Sequence, residues 1–220
     1  MPNVSTRTQT ADRPRIVILC IDIGKTRCRR LSSRLLNELS SRAEVQLIDD
    51  PAQVHNIVTQ VPKPQAVLLA DGALTRDENW ACWTAFLFWM RRGGRCIFMT
   101  GWPRLIEGDD NLRVLFSRAG LNWQQCHEML YLLSAMDTSA TGREGSTIRP
   151  ATNVRAKCLR DVGSHDRLLV PNTGVNGHSD QDESPVVMTK IQDGRLGYVG
   201  FTEWDTNFYV TIVIRICGFR

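Results

Sequence analysis

The sequence predicts an α/β fold, a three-layer sandwich with a mostly parallel sheet and a C-terminal β-hairpin. Three observations carry this reading. Residues 15–23 (RIVILCIDI) form a nearly continuous apolar run that ends at Gly24, the pattern of a strand buried on both faces. From 15 to 120 such runs alternate with stretches at helical spacing, in the order βαβαβαβα, which calls for helices on both faces of a parallel sheet. Near the C terminus, two apolar runs at 185–191 and 195–201 flank Asp193-Gly194, a pair suited to the positive φ of a tight hairpin turn.

Each element follows from local pattern. Residues 1–13 are polar and read as a disordered tail, leaving 14–220 as one domain. After the first strand, Leu31, Leu35, Leu36 and Leu39 recur at helical spacing, so a helix is expected over 30–41. Residues 44–48 form strand two, and Asp49-Asp50-Pro51 opens the next helix with proline in its first turn. Pro62 and Pro64 precede strand three at 66–70. Trp80, Trp83, Leu87 and Met90 then line one helical stripe, the spacing of a core face, and Gly93-Gly94 ends that helix. Residues 96–99 make strand four, and 109–119 a helix stopped by Gly120. The second half is less regular. Residues 129–134 and 154–159 are candidate strands, while 137–147 and 172–184 have loop composition. Asp205 is expected to cap a final segment bearing Phe208, Ile212 and Ile216, closed by Gly218, and its β-branched content leaves strand as the alternative.

Composition excludes several classes of function. A formal charge of +4 over 220 residues is too small for a nucleic-acid-binding surface. The longest apolar runs fall far short of the ~20 residues that span a bilayer, so no membrane partner is expected. Seven widely spaced cysteines without a C-x-x-C pair argue against a zinc or redox motif, and with no hydrophobic leader they point to a reduced compartment, cytoplasm or nucleus. The four histidines form no spaced ligand pair, so no metal is expected.

Candidate chemistry gathers at the carboxyl ends of the strands, where ligands sit in such sheets. Gly24-Lys25-Thr26 precedes a helix, but Leu19 stands where a phosphate-binding loop needs glycine, and no cofactor motif is complete. Arg27, Arg29, Arg30 and Arg34 crowd the helix that follows and could hold an anion or form a solvated basic face. Asp71-Gly72 follows strand three. Thr100-Gly101-Trp102 follows strand four without the serine or cysteine of a nucleophile elbow. Glu203 follows the last strand.

Three segments carry a family resemblance: 89–102 (WMRRGGRCIFMTGW), 111–123 with Phe116, Gly120, Leu121 and Trp123, and 194–218 (GRLGYVGFTEWDTNFYVTIVIRICG). They resemble the class I glutamine amidotransferase-like superfamily, closest to an uncharacterised fungal branch and more distantly similar to trehalose-utilisation-type proteins. The resemblance implies a flavodoxin-like sandwich. It also implies, in active members, an elbow cysteine assisted by the histidine and glutamate of a His-Pro-Glu turn. Here the elbow is Thr100-Gly101-Trp102, and the late turn reads Phe201-Thr202-Glu203, so only the glutamate matches. The expectation is a non-catalytic domain that binds a small-molecule ligand or protein partner with Gly24, Asp71, Gly72, Gly101, Trp102 and Glu203. The rival is a hydrolase or transferase for a sugar or other small polar substrate, using Asp22, Asp71 or Glu203 as acid or base.

Overall fold

A computed structural model describes residues 13–99, 109–131, 133–135, 153–171, 182–203 and 205–219. The expected tail at 1–13 lies outside these residues apart from Arg13, as do the expected loops at 137–147 and, apart from 182–184, at 172–184.

Strands β1 (Arg15–Leu19), β2 (Glu44–Ile48), β3 (Ala66–Leu69) and β4 (Arg95–Met99) are joined by helices α1 (Gly24–Leu31), α2 (Ser33–Arg42), α3 (Val54–Thr59) and α4 (Trp80–Arg91). Helix α5 (Asp109–Arg118) leads to β5 (Gln124–Tyr131), β6 (Leu133–Ala135), β7 (Val154–Arg160), β8 (Arg167–Pro171), β9 (Val186–Ile191), β10 (Gly194–Val199) and α6 (Asn207–Ile216). Eight strands form one sheet in the order β2-β1-β3-β4-β10-β9-β8-β6. The five strands from β2 to β10 are parallel to their neighbours, and β9, β8 and β6 extend the sheet antiparallel. Strands β5 and β7 pair separately as an antiparallel ribbon.

The predicted sandwich is therefore present, and strand alternation explains its two cores. Ile16, Ile18, Leu68 and Ile97 point to the face covered by α1, α2 and α6, through Cys28, Leu35, Leu39, Ile212 and Val213. Val17, Leu19, Val67, Leu69 and Phe98 point to the other, covered by Val54, Ile57, Trp83, Phe86 and Phe116 of α3, α4 and α5. On that second face Phe116 packs edge-on against Phe98, Trp123 and Tyr198, which ties α5 to the sheet.

Several expectations are corrected. The helix expected over 30–41 is two helices, broken at Ser32, whose ψ of +33° leaves the helical range. Strand β8, absent from the sequence reading, pairs with both β9 and β6. The final segment is the helix of the first reading and not the alternative strand, but its cap differs. Its N-cap is Thr206, whose hydroxyl accepts from the Tyr209 amide, and Gly218 closes it with a φ of +94°.

Asp205, expected to be that cap, serves a different helix. Its carboxylate accepts from the amides of Arg34 (3.1 Å) and Leu35 (2.9 Å) and from Ser33 Oγ (3.4 Å), so it caps α2 across the fold. Ser32, the residue preceding α2, makes no side-chain cap of its own. Helices α2 and α6 are thereby fastened N-terminus to N-terminus.

The hairpin turn is also shifted. The two loop residues are Gln192 and Asp193, and Gln192 carries the positive φ of +53°. Gly194 already belongs to β10, paired with Ile191, and a Cβ there would overlap the backbone carbonyl oxygens of Met90 and Gly94. The glycine is needed for close approach of the hairpin to the end of α4. Gly194→Ala is thus expected to cost about 1–3 kcal/mol by overpacking, read as a lower urea midpoint with an unchanged slope. An unchanged midpoint would show that this contact yields without cost.

Candidate functional site

The sheet changes direction between β1 and β3. The chain leaves β1 for β2 over one face, and leaves β3 for β4 over the other, so the two carboxyl-terminal loops diverge and leave a crevice. The β1 loop turns tightly: the Gly24 amide donates to the Cys20 carbonyl at 2.9 Å, and Gly24 holds a φ of +70°, which favours glycine.

Asp71, two residues past β3, holds this turn in place. Its Oδ2 accepts from the amides of Asp22 (2.8 Å) and Ile23 (3.4 Å), and its Oδ1 accepts from the Ala73 amide (3.1 Å). The side chain is buried, and burial pushes its carboxyl up to about 6. The three amides oppose that shift without cancelling it, and the neighbouring Asp22 adds to it.

Asp22 is itself 7% exposed at the side chain and pairs with Arg76 Nη2 at 3.0 Å. Burial raises its carboxyl despite the guanidinium. Gly72 opens a short 3-10 turn over Ala73–Thr75, and its carbonyl accepts from the Thr75 amide and hydroxyl. Asn79 donates to the Ala73 carbonyl at 2.9 Å and fixes that turn from the start of α4. Cys20, beneath the loop, is fully buried. Its thiol donates toward the Ile48 carbonyl, and its hydrogen bond with Cys28 and its burial raise it, so it packs as a protonated group.

The structure brings Gly24, Asp71 and Gly72 together at the switch point. Gly101 and Trp102 lie outside the described residues. Glu203 is exposed beyond the end of β10, which β4 separates from β3. Phe201 is fully buried, with its ring 5.3 Å from that of Phe208 on α6. Thr202 Oγ1 donates to Glu128 Oε1 at 3.1 Å, tying the late turn to the β5–β7 ribbon.

A separate surface depression lies between the start of α2 and the start of α6, lined by Ser33, Arg34, Asn37, Glu38, Asp205, Thr206 and Asn207. None of the six predicted residues lines it. Among the described residues, no cluster of three or more His, Cys, Asp or Glu side chains could hold a metal ion, and no helix is long and apolar enough to cross a membrane. Sequence reasoning missed Arg76, whose partner Asp22 lies 54 positions earlier. Arg34, read from sequence as either an anion contact or part of a solvated basic face, donates from its guanidinium to Asn207 Oδ1 at 2.8 Å.

Parallel strands, helices on both faces and a switch-point crevice define a flavodoxin-like sandwich. No family model and no curated protein matches the chain. Solved structures that share its fold include a ThuA-like protein from Bacteroides uniformis, with TM-score 0.60, 10% identity, and 97% of this chain and 94% of that one covered. A GMP synthase subunit from Thermoplasma acidophilum aligns with TM-score 0.53, 11% identity, and 94% and 93% covered. The N-terminal domain of mmIFT52 aligns with TM-score 0.60, 10% identity, and 91% and 94% covered. At these identities the likeness shows the fold alone.

The Asp71 geometry predicts a pH signature. Its carboxyl is pushed from 3.8 to about 6, so the folded state holds the proton more tightly than the unfolded chain. The stability this adds is full below pH ~4 and is lost as pH rises through ~6, by up to about 3 kcal/mol. Urea unfolding from pH 4 to 7 should therefore show wild type losing stability relative to Asp71→Asn. Parallel curves would mean that the carboxyl titrates as an exposed one. Asp71→Ala, which strands three amides, is expected to cost roughly 2–4 kcal/mol at pH 4 and progressively less as pH rises through ~6, where wild type loses the carboxyl's contribution.

Proposed function

We propose that this chain is a non-catalytic glutamine amidotransferase-like domain that binds a small ligand or a protein partner at the carboxyl edge of its sheet. One observation supports the reading: Phe201, which the sequence resemblance aligns with the histidine of active members, is a fully buried hydrocarbon ring. Attack on an amide requires a thiolate or alkoxide made by a neighbouring base. The elbow sequence Thr100-Gly101-Trp102 supplies no cysteine, and Phe201 accepts no proton. Glu203, exposed as it is, would be left without an imidazole to orient.

The binding surface in this reading starts at the crevice with Gly24, standing on the Asp71–Gly72 turn, and runs along the carboxyl edge of the sheet toward Glu203; Gly101 and Trp102, which lie outside the described residues, are assigned to it from their place in the sequence alone. Asp71 acts from below, through the backbone it fixes. The wide cysteine spacing without a C-x-x-C pair supports a reduced compartment, the cytoplasm or the nucleus.

A second reading has its own observation. Asp22 and Asp71 are neighbouring carboxyls, both raised, and such pairs serve acid–base chemistry on sugars and other polar substrates. The first reading is preferred because Asp71 spends both oxygens on backbone amides and Asp22 spends one on Arg76.

Purified protein given glutamine should release no ammonia above the buffer control. Ammonia release that disappears in Glu203→Ala would contradict the proposal. A panel of chromogenic glycosides and esters tests the second reading, which requires turnover in wild type that Asp22→Asn abolishes. For the binding function, a thermal-shift screen against metabolites should find a stabilising compound, worth about 2.7 kcal/mol at a hundred times its Kd. The shift should weaken in Asp71→Ala.

A further inference from the structure

The β5–β7 ribbon carries a pair of cysteines that neither the fold comparison nor the proposed binding site uses. The register pairs Gln124 with Arg160 and Gln125 with Leu159, then resumes at Glu128 and Lys157. Cys126 and His127 therefore lie together opposite Cys158, as a β-bulge. Continuing the register from Gln125 sets Cys126 directly across from Cys158. Directly opposed residues of an antiparallel pair have Cα atoms ~4.5–5.5 Å apart, inside the roughly 4.4–6.8 Å window of a disulfide. Both side chains turn to the same face. Cys158 is fully buried in the core under α1, α2 and α6, and half-buried Cys126 packs against that core.

Two further groups address these sulfurs. The Cys126 thiol donates to Glu183 Oε1 at 3.1 Å, and the Tyr131 hydroxyl donates to Glu183 Oε2 at 3.5 Å. Burial pushes the Cys158 thiol well up, and its contact with Tyr131 opposes that rise without cancelling it. The pair is thus graded. Cys126 is within reach of a small reagent, and Cys158 is shielded but adjacent.

We propose that Cys126 and Cys158 form a reversible thiol–disulfide site, with Cys126 attacking and Cys158 resolving, whose oxidant is a low-molecular-weight disulfide. Cys126 gives up its proton, and its sulfur attacks one sulfur of RSSR. A Cys126–SR bond forms, and RS⁻ leaves and takes up that proton. Cys158 then gives up its own proton, its sulfur attacks Cys126 Sγ, the protein disulfide forms, and a second RS⁻ leaves as RSH. Two thiols are oxidised, and one RSSR is reduced to two RSH. The Glu183 carboxylate restrains the first step, because its charge opposes a thiolate beside it. The resulting disulfide would lock the bulge and fix the ribbon on which Thr202 of the late turn rests.

The full-length protein, incubated with oxidised glutathione and digested with trypsin without reductant, tests this. Cys126 falls in the peptide 119–143 and Cys158 in the peptide 158–160, each as its only cysteine. The expected result is a mass for these two peptides joined, which disappears on reduction. Cys158→Ser should lose the joined mass and retain glutathione on Cys126, whereas Cys126→Ser should lose it and leave Cys158 unmodified. Glu183→Gln should form the link several-fold faster. In wild type, a lasting glutathione adduct on Cys126 with Cys158 still a thiol would overturn the proposal. So would an unmodified Cys126 while other cysteines react.

Discussion

The carboxyl edge of this sheet is organised around one carboxylate. Asp71 leaves β3 and at once accepts the amides of Asp22 and Ile23 from the neighbouring strand's loop and the Ala73 amide of its own turn. Two loops that the sheet topology sends to opposite faces are thereby held together. A buried backbone N–H without a partner costs about as much as a lost hydrogen bond, so the crevice floor depends on this group. The cost appears in the carboxyl itself, which burial raises despite three donors.

A second clamp acts beyond the carboxyl end of β10. Asp205, at a φ of +62°, caps α2 from the chain just ahead of α6. Phe201 packs against Phe208 a few residues away. The segment between β10 and α6 thus contributes a cap and a core ring, and it holds two helices together.

The parallel half of the fold was legible because strands buried on both faces read as apolar runs. Residues 15–19, 44–48, 66–69 and 95–99 announce themselves whatever surrounds them. The core stripe of Trp83, Leu87 and Met90 was equally plain. What escaped was set by distant partners. Strand β8 is five residues that form a strand only because β9 and β6 flank them. The capping role of Asp205 is defined by amides about 170 positions away in sequence. Gly194 looked like a turn residue, and only the packing of α4 shows why a side chain is excluded. Of the site, Gly24, Asp71 and Gly72 were found from their place after strands. Their meeting through Asp71 was not, because a hydrogen bond from a loop amide leaves no mark on sequence pattern.

Amide hydrogen exchange at Asp22, Ile23 and Ala73 tests the central claim most directly, that the switch-point carboxylate is spent on the backbone. In the wild-type protein these three amides should exchange as slowly as those of the adjoining strands β1 and β3, although they lie in loops. Exchange at the rate of an exposed loop would show that Asp71 does not hold them and is available to a ligand, which would contradict the account.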